Sequence, residues 1–188
     1  MAYIEENGNA EISLHEISRR LGVKTPSLYN YIKNTKELQY EVFQYAIEKF
    51  VDSQEKAVEN KHKDDAVKAF ADAYYMFATN NKGLYKLIMS MPSEDCEMGQ
   101  KIAVPLLNTV LKVLSEYDMS ETEMAHWQRV FRAILHGFIS QENLGYFYYF
   151  KDVEIKKSLD IAVQCFIDGL NDSLQQEKNK TYRNEGKR

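Results

Sequence analysis

Six of the eight residues from Lys24 to Tyr31 carry hydrogen-bonding side chains: Lys24, Thr25, Ser27, Tyr29, Asn30 and Tyr31. Hydroxyls, an amide and an ammonium packed into one short segment suit contacts with phosphate oxygens and base edges. A second pattern is Glu-x-x-His, which occurs at Glu59/His62 and Glu123/His126. On facing helices that spacing holds two iron ions once further carboxylates join it. Here Glu59 and His62 fall at the polar run NKHKDD, and the strongest apolar faces offer no inward carboxylate, so the iron reading is the weaker one. No GxSxG, phosphate-binding loop or Cys/His nucleophile pattern occurs, so no enzyme activity and no cofactor is expected. Cys96 and Cys165 lie far apart without metal-ligand spacing and are expected to be small packing residues, with no metal site.

The elements around Lys24–Tyr31 read as two short helices. Leu14, Ile17 and Leu21 recur at helical spacing, and Gly22 follows where a helix end accepts a positive φ. Val23 is expected to plug the angle between the helices. Thr25 suits an N-cap and Pro26 a first helical position, which predicts a second helix from Pro26 to about Ile32. Two such helices joined by a Gly-containing turn form the unit whose second helix enters the major groove of DNA. Charge agrees. Residues 13–40 hold Arg19, Arg20, Lys24, Lys33 and Lys36 against Glu16 and Glu37, a net +3 within a chain of net charge −4. A basic head precedes an acidic body.

The chain has 188 residues, 44% of them hydrophobic, with 8 Gly and 3 Pro, a composition that leans all-α. Trp127, Val130, Phe131, Ile134, Leu135 and Phe138 line one helix face. Ile155, Leu159, Ala162, Val163, Phe166, Ile167, Leu170 and Leu174 line another. Weaker amphipathic segments cover about 36–58, 64–80, 83–91 and 100–117, the last opened or kinked by Pro105. The polar stretch 177–188 is expected to be a disordered tail. No apolar run approaches bilayer length and the first residues do not resemble a signal peptide, so a cytoplasmic protein without a membrane partner is expected.

Gly22-Val23, Leu28-Tyr29 and the run Lys33-Asn34-Thr35-Lys36-Glu37-Leu38 resemble the TetR family of transcriptional regulators over residues 1 to about 45. The resemblance implies phosphate contacts from Tyr29 and Tyr31, and phosphate or base contacts from Thr25, Pro26, Ser27 and Asn30. Where the family carries a lysine this chain has Thr35, so that contact falls to the Thr35 hydroxyl or to Lys36, or is absent. The family pattern also begins earlier, so the first helix is expected to be truncated, by about ten residues. Further on, Trp127, His136-Gly137 and Glu142 resemble a TetR-type C-terminal domain named for a Trp and a His-Gly signature.

Together these imply a helix-turn-helix domain over 1–45 and a helical-bundle ligand-sensing and dimerisation domain over 46–176. The expected function is a homodimeric repressor on a palindromic double-stranded DNA operator, released by a small hydrophobic or aromatic effector. The effector pocket is expected among Tyr74, Phe77, Tyr85, Met89, Trp127 and Phe131, and the dimer interface at Phe138, Phe166, Ile167 and Leu170. The aromatic clusters Tyr74-Tyr75-Phe77 and Tyr146-Phe147-Tyr148-Tyr149-Phe150 are read as ordinary core or pocket lining, and His136 as a solvated or interface residue. The competing reading is a dimeric helical interaction module that has lost DNA binding through the shortened first helix.

Overall fold

Ser13 accepts a hydrogen bond from the Glu16 amide and so opens the first described helix, α1 (Leu14–Leu21), as an N-cap. Gly22, at φ 66°, closes it. The Val23 amide reaches back to the Ser18 carbonyl and the Gly22 amide to that of Arg19, the paired bonds of a Schellman end. The computed structural model describes residues 13–90 and 97–185, with backbone alone at 97–103, 178 and 180–185. Along these residues follow α2 (Thr25–Leu28), α3 (Thr35–Val58), α4 (Lys63–Asn80), α5 (Lys82–Met89), α6 (Glu97–Leu114), α7 (Glu121–Asn143) and α8 (Ile155–Glu185), and no strand occurs among them.

The amphipathic segments become α3 to α8, and the ends of α3 to α6 fall within a few residues of those expected. Asn34 caps α3 by accepting from the Glu37 amide, and Glu37 reaches back to the Lys33 amide. Ser120 and Glu123 form a full capping box on α7. Pro105 lies inside α6 and does not open it. The polar stretch after Gln176 continues as helical backbone to Glu185, because straight-chain residues such as Gln176 and Glu177 hold a helix without an apolar face. The truncation expected for the first helix falls on residues outside those described.

The chain divides into two compact units. One comprises the described residues of Met1–Ser53 and Phe77–Leu107. Its core gathers Ala46, Ile47, Phe50, Phe77, Leu84, Tyr85, Leu87 and Ile88, with Phe50 set 4.9 Å from Phe77 and 6.2 Å from Tyr85 between ring centroids.

The other unit comprises the described residues of Gln54–Met76 and Asn108–Arg188. Here α7 packs on α8. Phe131 stacks on Phe166 at 4.6 Å, Trp127 meets Phe166 edge-on at 5.5 Å, and Phe70 lies 5.6 Å from Phe131. Each such pair adds about 0.5–1.5 kcal/mol beyond the burial of its surface. Polar ties fix the helix register. Tyr117 donates to Asp64 at 2.7 Å, Asn171 donates to the same carboxylate at 3.3 Å, and Tyr75 donates to Glu142 at 3.0 Å. Burial and then the carboxylate bond push the Tyr75 hydroxyl up to about 12, and the same causes raise Tyr117.

Candidate nucleic-acid interface

The turn after α1 brings Thr25 against Ser18. Their hydroxyls lie 2.8 Å apart, and Ser18, which is buried, also donates to the His15 carbonyl. This link sets the start of α2 against α1. It also turns the Thr25 side chain inward, so its hydroxyl serves the helix pair first; Lys24, not Thr25, is the N-cap. The α-helix ends at Leu28, short of the expected Ile32, and the chain continues in turns, with the Tyr31 and Ile32 amides both reaching the Leu28 carbonyl.

The outer side of this segment presents what the sequence suggests. Lys24, Pro26, Ser27, Tyr29, Asn30 and Tyr31 are exposed, Tyr31 at 87%. Thr35 is half-buried at the first turn of α3, and Lys36 is exposed with its ammonium 6.0 Å over the Tyr40 ring. Arg19 and Arg20 are both drawn to Glu16, whose carboxyl their hydrogen bonds hold down to about 2. The positive charge for a backbone anion therefore comes chiefly from Lys24, Lys33 and Lys36, although Lys33 also lies 3.7 Å from Glu37.

Several expectations need correcting. Val23 does not plug the helix angle: it is 43% exposed, and Leu21 is 63% exposed. Cys165 is exposed on α8 and is not a packing residue; Cys96 lies outside the described residues. Among the expected interface residues, Phe166, Ile167 and Leu170 are buried in the protomer itself, and Phe138 is half-buried against Phe147 at 5.0 Å. The first three face the protomer's own helices because α8 packs that stripe on α7. The outward apolar residues of these helices are Val130, at 45%, and Ile161, at 59%.

The expected pocket residues fall into two groups. Phe77 and Tyr85 meet around Phe50 in one unit, and Met89 of that unit is 37% exposed. Tyr74, Trp127 and Phe131 gather around Phe70 and Phe166 in the other. Sequence reasoning passed over Phe50 and Phe70, although both sit at helical spacing from buried neighbours, Ala46 and Ile47 in one case and Ala66 and Val67 in the other. It also passed over Gln54, which is 1% exposed and finds no hydrogen-bond partner for either amide atom among the described residues. A polar residue in an apolar stripe was the available signal.

Two of the four residues of the iron reading have other work. His62 pairs with Glu116 at 3.1 Å, and Glu123 is committed to the α7 cap. The Lys63 amide and then His62 lower the Glu116 carboxyl. No cluster of metal-ligating side chains occurs among the described residues.

A helical head with this turn, followed by long helices, is the architecture of the helix-turn-helix transcriptional regulators. Residues 67–166, more than half of the chain, match the family model of the tetracyclin repressor-like C-terminal domain. The chain belongs to that family, whose members are regulators and not enzymes. It is 28% identical to the HTH-type transcriptional regulator YobS of Bacillus subtilis (strain 168), over 88% of this chain and 85% of that one. It is 27% identical to the HTH-type transcriptional regulator Rv0681 of Mycobacterium tuberculosis, over 77% of this chain and 67% of that one. Two solved structures share the fold. The regulatory protein SCO4313 superposes with a TM-score of 0.70 at 19% identity, covering 88% of this chain and 93% of that one. A protein from Rhodococcus sp. RHA1 superposes with a TM-score of 0.74 at 17% identity, covering 88% and 87%. No helix of the described residues is long and apolar enough to cross a membrane.

Proposed function

We propose that the protein is a homodimeric repressor that binds palindromic operator DNA through Lys24–Lys36 and leaves it when a small, largely apolar molecule binds the helices after residue 53. The observation that carries the DNA reading is the side-by-side exposure of Pro26, Ser27, Tyr29, Asn30 and Tyr31 on a segment tied to α1 by the Ser18–Thr25 link. One such segment reads few base pairs, so two heads act on a palindrome. Tyr29 and Tyr31 serve phosphates; Ser27 and Asn30 serve base edges. Anisotropy titrations on a labelled operator test the division. Tyr29→Ala weakens binding to every sequence alike, whereas Asn30→Ala alters base preference. Equal losses on all sequences for both variants refute base reading by Asn30.

The ligand reading is supported by Gln54. A buried amide without partners costs about 1–3 kcal/mol per unsatisfied group, and an effector offering one donor and one acceptor removes that cost. An effector that prefers the DNA-incompetent form by about 1–3 kcal/mol lowers operator affinity about 5- to 150-fold, and operator lowers effector affinity equally. Trp127 is the chain's one tryptophan, so its fluorescence and operator binding can be followed in the same titration. An effector that saturates the fluorescence change and leaves operator affinity untouched refutes the coupling.

For the dimer, the outward apolar residues of α7 and α8 take the place of the inward stripe. Val130→Asp or Ile161→Asp gives folded monomers in sedimentation, whereas dimers that survive both place the interface elsewhere.

A further inference from the structure

The connector between α7 and α8 is built around five successive aromatic residues. Gly145, at φ 79°, ends α7 with the same paired bonds that end α1, and the Tyr148 and Val153 amides then close turns on the Gly145 and Phe150 carbonyls. The connector is therefore a hydrogen-bonded element, yet it does not bury its rings. Tyr146, Tyr148, Tyr149 and Phe150 are 67–78% exposed, and only Phe147 turns in, against Phe138. Exposed aromatic surface this concentrated contributes nothing to the core and marks a binding surface.

The rings enclose a concavity. Phe138, Tyr146, Phe147, Tyr149 and Phe150, the last two edge-to-face at 5.2 Å, line a cavity of about 360 Å³ together with Val153, Ile155 and Ser158. That volume falls in the range of small-molecule sites. None of its lining side chains carries a formal charge, and its hydrogen-bonding groups are hydroxyls. A concave site lined chiefly by aromatic rings suits a planar ring system better than the convex surface of a second protein, since stacked and edge-on contacts need separations near 4.5–7 Å on more than one side.

We propose that this connector groove is a small-molecule site in its own right, separate from the expected pocket around Tyr74, Phe77 and Trp127, and that it takes a neutral planar aromatic compound bearing one hydroxyl. The probe is 1-naphthol, titrated into the full chain without DNA, followed by calorimetry and amide NMR shifts. The expected result is saturable binding with shifts concentrated at residues 138–158, insensitive to salt because the lining is uncharged. Tyr149→Ala and Phe150→Ala each weaken it at least ten-fold, and since both residues are exposed the fold is retained. Tyr31→Ala, at an equally exposed ring in the head, leaves it unchanged. Absence of saturable binding, shifts centred elsewhere, or unchanged affinity in the two connector variants overturns the proposal. So does a loss of dimer in Tyr149→Ala or Phe150→Ala, which identifies a second copy as the occupant. The assay contains no operator, so failure of the repressor reading leaves its outcome intact.

Discussion

Gly22 has a task its residue type alone can perform cheaply. At φ 66° a side chain strains against its own backbone, so Gly22→Ala destabilises the head by about 1 kcal/mol, although nothing lies within 4 Å of the added Cβ. Amide exchange across α1 and α2 measures that loss, and operator affinity falls with it. Glu16 sets a pH dependence. Its carboxyl is held at about 2 against an ordinary 4.5, so its contribution to the head is complete above about 4.5 and is lost as pH falls from there to about 2. In Glu16→Gln the amide protection of α1 no longer changes through that window on account of this group. A wild-type head whose protection is flat from pH 5 to pH 2 contradicts the Arg19–Glu16–Arg20 arrangement.

At the scale of elements, the helical interior of α8 carries one residue that it does not need for backbone freedom. Gly169 has ordinary helical geometry, and a Cβ there meets the Trp127 ring at 3.7 Å, a normal van der Waals distance. Gly169→Ala therefore stabilises the chain by up to about 1 kcal/mol, a rise of about 2–4 °C in melting temperature, with a small change in Trp127 emission. Helices were the most legible feature of the sequence because 3.6-residue periodicity and the helix-ending Gly22 are local signals. What an apolar face packs against is not local. Phe166, Ile167 and Leu170 were readable as an apolar stripe, but the same stripe serves a dimer or a protomer, and here α7 covers it. Thr25 was readable as a cap and lies inward because Ser18, seven residues earlier, provides its partner. The exposed segment from Pro26 to Tyr31 was legible in composition; its shortened helix was not, because a four-residue helix and a turn hold the same side chains. Cys165 looked like a packing residue by type and faces solvent on α8; Val23 did too and faces solvent from the turn after α1.

At the scale of the whole molecule, binding to DNA is expected to be steep in salt. Each Lys that neutralises a phosphate contributes about −0.9 to the slope of log affinity against log salt, so Lys36→Ala lowers the slope by about 1 for each head that makes the contact. An unchanged slope places Lys36 off the backbone. A different consequence follows from Asp64, which accepts from both Tyr117 and Asn171. Asn171 stands 107 residues further along the chain than its partner, and the unit they share is split in sequence by the segment Phe77–Leu107. On a ribosome adding about 5–20 residues each second, the stripe of Ala66, Val67 and Phe70 emerges several seconds before the helices that cover it. Until the last helix clears the exit tunnel that stripe is open to chaperones and to neighbouring nascent chains. The order of synthesis, more than the final packing, thus sets the interval in which this regulator is open to aggregation.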